Sequence, residues 1–271
     1  MGKVAIITGA NQGLGFGLVE QLNAIYKAGD FIYLAVRRVA KGQEAIDSII
    51  DKKAHFEAVF MDVSKEESVQ AVMEYMAAKH GTVDLVISNA AQRMDKETPY
   101  RLQVAEFIQT NNMGAYHVLK HFQPLLTKKG RLIVIASGFG TLTHLTPKLH
   151  PLFATTERSM IDINRVMHDY VEEVKAGTDA LKGWPKWINI PSKIGQVALV
   201  RIAAQKKKDA QAILAVCPGL VNTAASRPFF ENMKHAQSPF QAAKSIIDLI
   251  DRSPDEINGK LMKFGEEISW Q

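Results

Sequence analysis

The chain has 271 residues, 46% of them apolar and 23% charged, enough for one large α/β domain. Its formal charge of +5 and isoelectric point near 9.1 would admit a nucleic-acid partner, but the one dense basic run, Lys206–Lys208, meets Asp209 at once and reads as a solvated helix end, so none is expected. A lone cysteine, Cys217, leaves no internal disulfide and suits a reducing, cytoplasmic setting, and no apolar run has the length of a membrane span.

The first segment, VAIIT at Val4–Thr8, has the character of a buried strand, so no leader is expected. Met1 and Gly2 would suit myristoylation, but Ile6 stands where that signal needs Ser or Thr. TGANQGLG follows, with Gly9, Gly13 and Gly15 in the spacing G-x-x-x-G-x-G and Asn11, Gln12 and Leu14 between them. A strand that feeds a helix through glycines lets backbone N–H groups and the helix N-terminus hold a pyrophosphate with no Cβ in the way.

FIYLAV, Phe31–Val36, is the second strand. NAD enzymes place an acid at its end for the ribose 2′-OH, whereas here Arg37 and Arg38 follow. Two guanidiniums suit a 2′-phosphate, so the expected cofactor is NADP(H); the alternative is a pair of solvated loop arginines. A helix over Lys41–Asp51 leads to a third strand around Val59, then Asp62 and Val63, expected beside an adenine. Ser64 and Glu67 predict a capping box opening a helix that runs to Lys79. The fourth strand, Asp84–Ser88, ends in Asn89, Ala90 and Ala91, expected along the cofactor. One helix is predicted over Val104–Leu126 and a fifth strand over Arg131–Ser137.

The rhythm then breaks. Residues 138–186 hold no strand run, only loop, the clause GTDALKGWPK and a helix pattern from about Thr155 to Lys175, so they read as an insertion within one domain spanning 1–271. Met160, Ile163, Met167, Tyr170, Val171 and Val174 form a stripe of the kind that packs a core. A last strand, Ala212–Cys217, precedes PGLVNT, and Ser238, Pro239 and Gln241 mark a final helix start. Strands apolar on both faces, alternating with helices, predict a doubly wound parallel sheet of Rossmann type.

TGANQGLG, SNAA (Ser88–Ala91), TNNMG (Thr110–Gly114), VIAS ending at Ser137, Lys193 and PGLVNT (Pro218–Thr223) occur in that order. Together they resemble the short-chain dehydrogenase/reductases over essentially the whole chain. VRRVAKGQEA, GWP at Gly183–Pro185 and the ending EEISWQ are most similar to the monomeric carbonyl reductases of that family. The resemblance implies that Asn111 holds a helix kink and a water and that Ser137 bonds the substrate oxygen. It implies further that Lys193 bonds the nicotinamide ribose and that Pro218, Gly219, Val221 and Thr223 lie against the carboxamide. It also implies a monomer, the insertion covering the surface other members use to associate.

One position departs sharply. In WINIPSKIG, Asn189 stands where the family's acid, a tyrosine, precedes the lysine by four. An amide cannot supply a proton, though it can donate a hydrogen bond to a developing oxyanion. Pro191 in the same turn favours natural divergence over a single engineered change.

Three readings follow. The chain is an NADPH-dependent carbonyl reductase with another proton source: Ser137, a water relay through Asn111 and Lys193, or one of Tyr170, His144, His168 and Asp162. Or its acceptor is an iminium ion, which needs no proton, and it guides an alkaloid reduction or cyclisation. This family resemblance is weakened by Ile190, which stands where such enzymes carry an Asp. Or it binds NADP(H) without turnover. The expected substrate is small and hydrophobic or aromatic, against walls from Gly138–Leu145, Trp187 and Ser226–Met233. Phe139, Leu142, Trp187, Phe229 and Phe230 are the named candidates, the alternative being that they pack the insertion onto the domain. No metal is expected.

Overall fold

The computed structural model describes residues 2–230 and 232–271. Glu231, in the loop expected to wall the substrate, and Met1 lie outside the described residues.

Eight strands form one sheet in the order β3-β2-β1-β4-β5-β6-β7-β8. They are β1 Val4–Thr8, β2 Phe31–Val36, β3 His55–Phe60, β4 Val83–Ser88, β5 Leu126–Ile135, β6 Ala212–Val216, β7 Leu261–Lys263 and β8 Glu266–Ile268. All pair in parallel except β7 with β8. Helices cover both faces: α1 Gly13–Ile25, α2 Val39–Asp47, α3 Glu66–His80, α4 Tyr100–Ile108, α5 Gly114–Phe122, α6 Met160–Ala176, α7 Asp179–Lys182, α8 Asn189–Ala204, α9 Pro239–Ile247 and α10 Pro254–Ile257. The doubly wound sheet is therefore as expected.

Alternate residues of each strand enter separate cores, as the two-residue period of a strand requires. Ile6, Val86 and Val134 join α3, α5, α6 and α8 on one side, while Ile7, Leu34 and Leu214 join α1 and α9 on the other. The order of the strands reverses between β1 and β4, which opens a crevice beyond their carboxyl ends. No described helix is long and apolar enough to cross a membrane.

Four local expectations are corrected. β3 is not buried on both faces: as an edge strand it leaves Phe60 57% exposed. The Ser64 capping box does not form, because Ser64 donates its hydroxyl to Asp62 Oδ1 (2.8 Å) and α3 starts at Glu66 without a side-chain cap. The helix expected over Val104–Leu126 is broken by a π-helical turn at Gln109–Met113. The insertion's helix starts at Met160, where Ser159 and Asp162 make the reciprocal capping box that the sequence reading did not assign. At Ser238 and Gln241 the expected box is present.

Candidate active site

The glycine loop opens where the sheet reverses. Gly9 and Gly13 have φ of +64° and +55°, and a Cβ on Gly9 would stand 2.9 Å from Ala90 Cα. Thr8 Oγ1 accepts hydrogen bonds from the backbone N–H groups of Asn89 and Ala90, both at 2.9 Å. The Asn89 amide donates to the carbonyls of Thr8 (2.9 Å) and Gly9 (3.2 Å), so that side chain braces the loop. α1 begins at Gly13 with no side-chain cap from Gln12, which leaves its first N–H groups for an anion. Asn11 is half-buried in the loop and Leu14 lines the cleft beside it. Arg37 and Arg38 stand exposed beyond β2. These groups fit a dinucleotide: a crowded turn that only glycine can make, a free helix N-terminus and two guanidiniums one strand away.

A cleft of about 530 Å³ runs from this loop over the carboxyl ends of β4, β5 and β6. Asn111, Ser137, Asn189 and Lys193 all line it, brought together from the π turn, the end of β5 and the first turns of α8. Asn111 sits in the π turn because its side chain closes a pair of bonds to Gln92, accepting from N–H at 2.7 Å and donating to C=O at 3.2 Å. Such one-turn π bulges recur at functional sites. Ser137 Oγ accepts from Phe139 N–H at 3.3 Å, which leaves its own hydrogen free to donate into the cleft. Pro191 falls in the first turn of α8, where its missing N–H costs nothing.

Lys193 donates to the Ile135 carbonyl (3.1 Å) and to Gln196 Oε1 (2.8 Å). Burial pushes its ammonium down to about 8, against the opposing influence of Cys217. Gln196 in turn donates from Nε2 to the Asn111 carbonyl at 2.7 Å. A Gln side chain therefore bridges Asn111 and Lys193, the pair through which a water relay was one of the alternative proton routes.

Pro218, Gly219, Val221 and Thr223 line the cleft on the β6 side, and Thr223 Cγ2 would lie 3.5 Å from a Cβ on Gly13. Phe139, Trp187, Phe229 and Phe230 supply apolar wall. Phe139 and Trp187 meet edge to face with centroids 4.8 Å apart. Leu142 is a correction: it is 3% exposed, packs in the core and does not reach the cleft, because its N–H donates to the Trp270 carbonyl and turns the short helix inward. Asp62 and Val63 stand apart from the cleft, Asp62 accepting from Ser64 and Val63 buried against α5.

A family model described as short chain dehydrogenase matches residues 3–147. The chain belongs to the short-chain dehydrogenase family. Carbonyl reductase [NADPH] 1 of Sus scrofa is 28% identical over 279 residues, covering 99% of this chain and 94% of that protein. Among solved structures, salutaridine reductase from Papaver somniferum matches with a TM-score of 0.78 at 20% identity, covering 96% of this chain and 99% of that one. Menthone neomenthol reductase from Mentha piperita matches with a TM-score of 0.79 at 22% identity, covering 98% and 100%. At these identities the two structures speak for the fold alone. Family membership makes the chain an oxidoreductase.

Within this short-chain dehydrogenase, the four ionisable candidates of the insertion separate cleanly. Tyr170 is 1% exposed in the core against Trp184, its hydroxyl unpartnered, and burial pushes that phenol well above its usual range. Asp162 is spent on capping α6, and His168 stands outward on the same helix. Only His144 reaches the cleft, its ring packed on Phe139 with centroids 5.3 Å apart. The sequence reading did not assign Arg93, Met94, Phe107 and Lys263, which also line the cleft. Arg93 and Met94 follow directly on Ala91 and could have been found from that position; Lys263 lies on a three-residue strand with no sequence signal.

Proposed function

We propose that this protein is an NADPH-dependent reductase of small hydrophobic or aromatic carbonyl compounds, one domain and monomeric, with the start of the 138–186 insertion, Gly138, Phe139 and His144, lining one side of the cleft. The observation that carries this reading is the meeting of Ser137, Asn189 and Lys193 with Phe139 and Trp187 in one cleft continuous with the glycine loop. When bound, NADPH supplies the hydride. Gly9, Asn11, Gln12, Gly13, Leu14 and Gly15 would hold its pyrophosphate, Arg37 and Arg38 its 2′-phosphate, and Asp62 and Val63 its adenine. Asn89 and Ala90 would shape the floor, Lys193 would bond the ribose, and Pro218, Gly219, Val221 and Thr223 would face the carboxamide.

Hydride addition to a carbonyl breaks the π bond and leaves its electron pair on oxygen, which then takes one proton. Ser137 Oγ and the Asn189 amide donate hydrogen bonds to that oxygen as charge develops. His144, exposed at the cleft rim, supplies the proton and recovers one from solvent. α6 lies against α4 and the π turn, covering a face through which two copies could otherwise pair, which supports the monomer.

Charge favours a carbonyl over an iminium acceptor. The described residues that line the cleft include Arg93, His144, Lys193 and Lys263 and no Asp or Glu. A cationic acceptor would meet these like charges and, among the described residues, no counter-ion.

The test is NADPH oxidation with apolar ketones, quinones and aldehydes by the parent protein, His144→Phe and Asn189→Tyr. The parent turns over; His144→Phe loses about 10²-fold or more in kcat, the scale of a general acid, while keeping its NADPH affinity. Asn189→Tyr gains rate, because a phenol one helical turn from Lys193 restores an acid. A parent that binds NADPH tightly yet reduces none of these compounds contradicts the proposal and leaves a silent binder.

A further inference from the structure

Gln196 is 3% exposed and sits one turn after Lys193 on α8. The orientation of its amide is dictated by its partners. An ammonium only donates and a carbonyl only accepts, so Oε1 must face Lys193 Nζ (2.8 Å) and Nε2 must face the Asn111 carbonyl (2.7 Å). Around this bridge the interior is closed. Asn111 is 2% exposed, and Asn112 and Ser192, both 0% exposed, bond each other through the Ser192 hydroxyl and carbonyl (2.7 and 2.9 Å). Two of the three Lys193 hydrogens are thereby fixed, on Ile135 and Gln196, and the third is left for the cleft.

We propose that Gln196 is a positioning residue that locks Lys193 to the π turn and closes the inner side of the site, so that the proton consumed in reduction enters from the cleft rim, on the side of His144. The proton-entry part rests on the carbonyl-reductase reading above; the lock on Lys193 does not. A carboxamide has no proton to release at neutral pH, so it passes hydrogen bonds but not protons. It also satisfies at once a buried ammonium and a buried carbonyl, each costly to leave unpaired. The titratable neighbour facing Lys193 is Cys217, just after β6; the lysine's hydrogen-bond partners, the Ile135 carbonyl and Gln196, are neutral.

Two substitutions separate a lock from mere filling. Gln196→Met keeps the volume and removes both hydrogen bonds, whereas Gln196→Ala opens room for water beside the ammonium. The first readout uses cofactor-free protein and no turnover: the pH dependence of trace acetylation of Lys193, followed by peptide mass spectrometry. Relative to the parent, the Lys193 midpoint falls by about one pH unit in Gln196→Met, where a charge-stabilising acceptor is lost, and rises by about as much in Gln196→Ala, where water solvates the charge. An unchanged or raised midpoint in Gln196→Met overturns the lock. The second readout is the pH profile of kcat with an apolar ketone. The limb of the parent profile persists in Gln196→Met and vanishes in His144→Phe, and in Gln196→Ala a second limb following Lys193 adds to it. A parent limb that survives His144→Phe overturns entry from the rim. If no ketone is reduced at all, the proposed function fails, and the acetylation shifts still decide the role of Gln196.

Discussion

Lys193 shows how one side chain's surroundings set what it can do. Its folded-state value is lowered to about 8, so the ammonium predominates at neutral pH and is lost as the pH rises through that value. An uncharged amine makes a weaker hydrogen bond and no longer attracts an anionic dinucleotide. NADPH affinity, measured by fluorescence titration, should therefore fall about five- to tenfold between pH 7 and pH 9.5, and Lys193→Met should remove that dependence. A flat profile in the parent would show that the charge is not used. Tyr170 offers the opposite lesson. Its hydroxyl is buried without a partner, so Tyr170→Phe should raise stability by about 1 kcal/mol in denaturant unfolding, and a loss of that size would mean that the hydroxyl is satisfied. Asn189, Ser137 and Lys193 could be named from the sequence because the resemblance to the family carries its motif positions onto them. Gln196 could not, since three residues after a lysine on an apolar helix it looks like any inward-facing residue.

At the level of elements, two matching signatures ended differently. Ser64 with Glu67 and Ser159 with Asp162 both place an acid three residues after a serine. Asp62 captured the first serine, and only the second caps its helix. Local sequence cannot weigh a cap against a competing carboxylate two residues upstream. Ser159→Ala should lower stability by about 1 kcal/mol and shift the melting temperature down, while Ser64→Ala should leave α3 without a capping penalty. Equal losses would place a cap at both. The kink at Asn111 was implied by the resemblance but not by local periodicity, since the bonds that accompany it run from Asn111 to Gln92, nineteen residues away. Strands β7 and β8, three residues each, carry too few side chains for a period to show.

Across the whole molecule, the doubly wound parallel sheet was the most legible feature, because the central strands are apolar on both faces and alternate with helices. What the sequence left open was how the insertion folds back on that frame. Residues 138–153 run through short tight helical turns that obey no simple period, and they decide that His144 faces the cleft while Leu142 faces the core. The resulting site combines a floor fitted to a dinucleotide, an aromatic wall and, among the described lining residues, basic groups without a carboxylate. The most direct test of this account is a competition between a neutral cyclic ketone and the cyclic iminium ion of matching ring size, each presented with NADPH to the purified parent protein. Preferred consumption of NADPH with the ketone is the expected result. Reduction of the iminium ion alone would contradict it and make Asn189 the mark of an acceptor that needs no proton.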